Sequence, residues 1–285
     1  MDDSPLVSVV ITTYRRASLV PRAIRSVQNQ TYKNIEIIVV DDASPDNTEE
    51  IVRSIADPRI RYLRHEQNKG LPAGRNTGIR AAAGQYIAFL DDDDEWQETK
   101  LEKQLTVIQE HDAVLCGAIV NGTRIKRHHR SIVTLDDLRK GNEFDPSSLL
   151  ARASVLKNLP FDEKLRQGED WDAFIRLAER HTIAYLDEPL LAYNDGGHQR
   201  MTNEARNLSV SDVEKRMPVL YKHRDFFGPY WFQFHIASML LSYLWCRDGK
   251  FEQVVYAIRR CGVVAVISVA FNKIRRHVKR YFTAF

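Results

Sequence analysis

The chain has 285 residues, 44% of them hydrophobic and 28% charged, with a net charge of +3. That is the composition of an ordinary globular protein, long enough for one large domain and a smaller appendage. So small a net charge gives no argument for a nucleic-acid partner. The three cysteines, Cys116, Cys246 and Cys261, are far apart and odd in number, which excludes a disulfide framework and a zinc-ligand spacing. They fit a reduced, cytoplasmic compartment. The start, Met1-Asp2-Asp3-Ser4-Pro5, is acidic where a secretion signal would be basic and then apolar, so export is not expected.

The first 120 residues alternate between two hydrophobic periods. Leu6 to Thr12 is an apolar, β-branched run and predicts a buried strand. Leu19 to Gln30 carries helical spacing through Leu19, Ala23, Ile24 and Val27. Ile35 to Val40 predicts a second strand, closed by Asp41-Asp42. Asn47 to Ala56 predicts a short helix with acids in its first turn, the favourable end of its dipole. Ile60 to Leu63 is a third strand. Pro72 to Ala83 is a helix with Pro near its start and Gly84 past its end. Gln85 to Leu90, Gln97 to Gln109 and Ala113 to Val120 follow as strand, helix and strand. Residues 121 to 170 are less regular, and the basic cluster Lys126-Arg127-His128-His129-Arg130 is expected to be a loop. Trp171 to Arg180 predicts a helix and Thr182 to Leu186 a strand. From about Asn207 the pattern is helical and rich in aromatics.

Continuous apolar strands alternating with helices predict a mostly parallel sheet covered on both faces. Polar clusters follow the strands: Thr12-Thr13-Tyr14, Asp41-Asp42 and Asp91 to Asp94. These are carboxyl ends, so they are expected to meet on one rim, where open α/β sheets bind ligands. Four adjacent aspartates raise one another's pKa unless a cation neutralises them. Taken alone, the run reads either as a solvated acidic turn or as a divalent-metal site. No Gly-x-Gly-x-x-Gly follows the first strand, and neither a P-loop nor a Gly-x-Ser-x-Gly elbow is present. A rim of aspartates, hydroxyls and one arginine suits a metal–diphosphate complex.

Five stretches then carry a resemblance. They are Val7 to Tyr14, Ile37 to Ser44, Asn68-Lys69-Gly70 through Arg75-Asn76-Thr77-Gly78, Phe89 to Asp94, and Gly168-Glu169-Asp170. In order and spacing the sequence resembles family 2 glycosyltransferases, the inverting group with the GT-A fold, over roughly residues 5 to 200. Thr13 stands where that family often has proline, and Gly74 where it often has alanine. The resemblance implies a GT-A catalytic domain over 1–205, nucleotide-binding to about residue 120 and acceptor-binding beyond it. A helical region over 206–285 follows. It implies that Thr12, Tyr14 and Asp42 line the nucleotide pocket, with Tyr14 on the base and Asp42 accepting from its N–H edge. Arg75 would face the nucleotide or its phosphates, and Asp92 the ribose or donor sugar. Asp91 and Asp93 would match the Asp-x-Asp metal motif, with Asp94 serving the turn. His198 is placed to complete the metal shell, and oxygen ligands favour Mg²⁺ or Mn²⁺. Asp170 matches the catalytic base, with Glu169 orienting it or the acceptor. The implied donor is a nucleotide sugar, with uridine the base by family habit. The implied acceptor is a glycan, lipid-linked, in surface polysaccharide or lipopolysaccharide synthesis. Alternatives are a non-catalytic nucleotide- or glycan-binding module and a sugar-nucleotide pyrophosphorylase. The latter would need a Gly-rich N-terminal loop, which the Thr12-Thr13-Tyr14 strand end lacks.

The C-terminal region adds a membrane question. Phe226 to Cys246 carries no charge other than His235 and is long enough to span a bilayer, but Gly228-Pro229, Gln233, His235 and two serines interrupt it, which favours a buried or partner-facing helix over a span or a membrane-surface helix. Gln253 to Phe285 holds seven Lys/Arg and no acid. Apolar Val263 to Phe271 runs into Lys273, Arg275, Arg276, Lys279 and Arg280, which predicts a basic amphipathic helix on anionic lipid. Placement at the inner face of the cell membrane follows as an expectation.

Overall fold

The structure, a computed structural model, describes residues 4–193, 213, 217–242 and 250–282. The elements run β1 (Val7–Thr13), α1 (Val20–Gln28), β2 (Ile35–Asp41), α2 (Thr48–Ser54), β3 (Ile60–Arg64), α3 (Leu71–Ala81) and β4 (Tyr86–Asp91). They continue as β5 (Glu95–Trp96), α4 (Lys100–Val107), β6 (Ala113–Val120), β7 (Arg124–Lys126), α5 (Leu135–Lys140), β8 (Leu150–Arg152), α6 (Ala153–Asn158), α7 (Glu169–Ala178) and β9 (Ile183–Tyr193). Four more helices follow: α8 (Pro218–Lys222), α9 (Arg224–Leu240), α10 (Lys250–Cys261) and α11 (Val263–Phe282). The chain divides into two compact units, residues 1–138 with 142–196, and residues 139–141 with 197–285. The boundary expected at 205 lies outside the described residues.

The first unit is built on one sheet with strand order β3-β2-β1-β4-β8-β6-β9-β5, and β7 pairs with β6. β3, β2, β1 and β4 are mutually parallel. Their register sets Thr13 against Asp41 and Thr12 against Asp91. The three polar strand ends therefore share one edge, as the period of the strands demands. Alternation along β1 divides the core. Val7, Val9 and Ile11 join α1, through Val20, Ala23, Ile24 and Val27, and α4, through Leu101 and Leu105. The opposite face, with Val10 and Thr12, takes α3. That helix can lie close only because Gly78 has no side chain: a Cβ there would stand 2.2 Å from Val10 Cγ1.

Three local features depart from the sequence pattern. A three-residue strand, β8, inserts between β4 and β6 and runs antiparallel to both. It is too short for periodicity to reveal. The basic stretch is not all loop, because Arg124–Lys126 forms a hairpin with β6. β9 also runs to Tyr193, well beyond the predicted Leu186.

In the second unit α9 is broken at Gly228 (φ 66°, ψ 171°), which precedes Pro229. Its aromatics Phe227, Phe232 and Phe234 are buried with Ile236 and Leu240. No helix among the described residues is long and apolar enough to cross a membrane.

The close approach at Gly78 gives a stability test. Gly78→Ala forces an overlap in a packed core and should cost about 1–3 kcal/mol. The urea midpoint should fall, and an unchanged midpoint would show that α3 is free to move off the sheet.

Candidate active site

The site forms where β4 ends and α7 begins, and one side chain joins them. Arg75 projects from α3 and is 2% exposed. Its Nη2 donates to Asp91 Oδ1 at 2.9 Å and Oδ2 at 3.2 Å. Its Nη1 donates to Glu169 Oε1 at 3.1 Å. The guanidinium also lies 5.3 Å from the Phe161 ring centroid. Burial alone would discharge a cation, but the carboxylates of Asp91 and Glu169 hold Arg75 firmly protonated. By resemblance Arg75 would face the nucleotide or its phosphates; in the structure its side chain is enclosed and donates to the carboxylates of Asp91 and Glu169.

The neighbouring Asn76 reinforces the join. Its Nδ2 donates to Phe161 O at 2.9 Å and Glu163 Oε1 at 2.9 Å, and its Oδ1 accepts from Phe161 N at 2.8 Å. Consecutive residues of α3 thus hold the segment that leads into α7. Gly168, in the left-handed region at φ 74°, turns that segment into the helix. The turn places Glu169 and Asp170 in the first helical turn.

The two acids differ. Glu169 is buried, and its carboxyl is pushed up to about 7, first by burial, against the pull of Arg75 and with the push of Asp170. Asp170 is half-buried. Its Oδ1 accepts from Trp171 N at 2.7 Å and its Oδ2 from Asn142 Nδ2 at 2.7 Å. Burial still holds its carboxyl above the ordinary aspartate value. A carboxylate so placed can take up a proton from a bound hydroxyl.

The acidic rim is arranged differently from the sequence pattern. From sequence Asp91 pairs with Asp93 as the metal motif. In the structure the carboxylate oxygens of Asp91, Asp94 and Asp145 lie within 4.8 Å of one another, and Asp93 sits outside that trio. Ser147 organises them. Its Oγ accepts from Asp91 N at 3.1 Å and donates to Asp94 Oδ2 at 2.8 Å, while its N–H donates to Asp145 Oδ1 at 2.9 Å. Burial, with the charges of Asp145, Asp91 and Asp93, holds Asp94 well above its ordinary value. Burial and then Asp91 push Asp145 up to about 6. Asp94 Oδ1 is buried with no hydrogen-bond partner. Three hard oxygen donors, mutually repelling and one of them unpartnered, fit a divalent cation. Asp92 is buried, and burial followed by the Asp93 charge moves its carboxyl up to about 7.

On the other side of the rim, Thr12 is nearly buried and Tyr14 is 39% exposed. Asp42 is tied into the loop that enters α3. Its Oδ1 accepts from Lys69 N at 2.8 Å and meets His65 Nδ1 at 2.7 Å, and its Oδ2 accepts from Gly70 N at 2.7 Å. One lone pair of Oδ2 remains for an external donor. His198 lies outside the described residues. Sequence reasoning did not select Asn142, Asp145, Ser147 or His65. Asp145 before Pro146 signals a helix start, and it does cap a short 3₁₀ turn. Nothing in its spacing marks it as a partner of Asp91.

This fold is that of the GT-A glycosyltransferases. The sequence matches the model of glycosyl transferase family 2 over residues 8–155, and the chain belongs to that family. The putative colanic acid biosynthesis glycosyl transferase WcaA of Escherichia coli K12 is 32% identical over 73% of this chain and 80% of its own length. The Escherichia coli UDP-Glc:alpha-D-GlcNAc-diphosphoundecaprenol beta-1,3-glucosyltransferase WfaP is 43% identical over 35% of this chain and 40% of its own. The chain spans only 32% of the length of an uncharacterized glycosyltransferase of Rickettsia conorii that is 34% identical over 65% of this chain. Among solved structures, S. aureus TarS 1-349 in complex with UDP-GlcNAc superposes with a TM-score of 0.64 at 18% identity, covering 94% of this chain and 91% of that 1-349 chain. The mannosyltransferase PcManGT of Pyrobaculum calidifontis, in complex with GDP-Man and Mn²⁺, gives 0.61 at 18% identity, over 99% and 83% of the two chains.

The double ion pair sets the second test. Arg75→Met leaves Asp91 and Glu169 without their cation and should cost about 3–5 kcal/mol of stability. Adding Glu169→Gln should restore part of that loss, because the double variant buries one charge fewer. Urea unfolding of both variants checks this. Strictly additive losses would mean the two side chains do not interact.

Proposed function

We propose that the chain transfers a sugar, with inversion, from a nucleoside-diphosphate sugar to a hydroxyl of a glycan acceptor. The observation that carries this reading is Arg75, which joins the acidic rim to the Glu169-Asp170 dipeptide. A donor held at the rim would then stand beside a carboxylate able to accept a proton.

In this reading Tyr14 packs against the base, the free lone pair of Asp42 Oδ2 accepts from the base edge, and Thr12 lines the pocket. Asp92 meets the ribose or donor sugar. Asp91 and Asp94, with Asp145 behind them, would hold the cation, and Asp93 and His198 are further candidate ligands. Bound Mg²⁺ or Mn²⁺ would supply positive charge to the leaving diphosphate. Asp170 takes the acceptor hydroxyl proton as that oxygen bonds to the anomeric carbon. The bond from that carbon to the phosphate oxygen breaks, and the nucleoside diphosphate leaves with the electron pair. Glu169 holds Arg75, and through it the acceptor side, in register. The names of WcaA and WfaP support an acceptor in surface-polysaccharide synthesis, lipid-linked as in WfaP. The UDP-Glc in the name of WfaP supports uridine as the base.

Two measurements test the role of Asp170. Asp170→Asn should slow transfer about 10²- to 10⁴-fold and leave nucleotide affinity nearly unchanged. Normal transfer by that variant would remove Asp170 as base. Asn142→Ala deletes a donor that favours the ionised carboxylate, so the Asp170 pKa should rise further. The acid limb of the kcat/KM profile should then move to higher pH. A shift to lower pH, or none, would mean that Asp170 does not set that limb.

A further inference from the structure

Helix α11 carries two apolar faces, and only one is covered. Ala265, Val266 and Val269 are buried, and α11 packs against α9 and α10. Val263, Val264, Ile267, Phe271 and Ile274 are exposed, Ile267 to 62% and Phe271 to 67%. At 3.6 residues per turn these five positions fall within an arc of about 100°, roughly opposite the buried set. Phe251, on α10 of the same unit, is 80% exposed. Solvated side chains of this size, gathered on one helix face, mark an interaction surface rather than scattered exposure.

We propose that this stripe docks on an anionic lipid surface, with α11 lying in the plane of the interface. The charge around it selects that occupant. Arg275 is exposed beside the stripe, the helix continues with Arg276, Lys279 and Arg280, and Gln253 to Phe285 holds no acid. A second copy docking through the same face would bring more Lys/Arg, Arg275 included, and no carboxylate from α11 to compensate them. An anionic bilayer supplies an apolar layer and negative charge together, and each basic residue near it adds attraction. The stripe is also distinct from a span, since no helix among the described residues is long and apolar enough to cross. Docking needs no donor or acceptor, so it stands apart from the sugar-transfer reading.

The test uses the full chain in flotation with vesicles of phosphatidylglycerol and phosphatidylethanolamine, set against phosphatidylcholine vesicles. The chain should float with the anionic vesicles, more weakly at high salt, and stay behind with the neutral ones. Ile267→Asp/Phe271→Asp should weaken flotation by roughly tenfold or more. Ile267→Ser/Phe271→Ser should weaken it less. Both variants alter exposed positions, so their thermal midpoints and nucleotide binding should match those of the parent. Failure of the parent to float, or flotation of the Asp variant as strong as the parent's, would overturn the proposal. Equal binding to neutral vesicles would remove the charge argument and overturn it too. If sedimentation velocity instead shows a dimer that the Asp variant dissolves, with no vesicle binding, the face belongs to a second copy.

Discussion

A buried guanidinium is expensive unless its charge is answered where it sits. Arg75 is answered twice, by Asp91 at the end of β4 and by Glu169 at the start of α7. Those residues lie 16 and 94 positions away along the chain. The interaction closes the longest loop in the site, and loss of either carboxylate leaves the buried arginine with half of its compensation. The Phe161 ring beside the guanidinium and the Asn76 hydrogen bonds to the same segment reinforce the join. The result is a frame in which the acidic rim and the Glu169-Asp170 dipeptide have one relative position.

The sheet makes that frame possible. Parallel pairing of β1 with β2 and β4 brings their polar ends to one edge, and the missing side chain of Gly78 lets α3 lie close enough for Arg75 to reach both acids. The rim then concentrates negative charge beyond what burial tolerates. Asp94 and Asp145 are raised, and one oxygen of Asp94 is left without a hydrogen bond. Carboxylates gathered in this way fit a divalent cation.

Much of this was legible before any coordinates. Strand–helix alternation predicts the parallel half of the sheet, and the strand over Ala113–Val120 has its predicted bounds. The polar ends were legible because each closes a continuous apolar run. The antiparallel insertion of β8 was not, because three residues carry no period. The same limit hid Asp145 and Ser147. They reach the rim through a short turn before β8, and nothing local says which strand end they approach. Arg75 was visible as a residue of interest, but its burial depends on pairing with Asp91 and Glu169, which only the fold brings together. Asp42 shows a similar shift. Its position at a strand end suggested a ligand contact, and the structure commits most of its oxygens to Lys69, Gly70 and His65.

The proposed chemistry depends on a cation held at the end of β4, within the frame that Arg75 closes. Anomalous diffraction from crystals grown with Mn²⁺ and a nucleoside diphosphate measures this directly. The predicted map has one strong manganese peak in contact with Asp91 and the diphosphate oxygens, with the guanidinium of Arg75 still between Asp91 and Glu169. A nucleotide bound with its manganese away from the β4 aspartates, or an Arg75 swung out to the phosphates with Glu169 released, would contradict it.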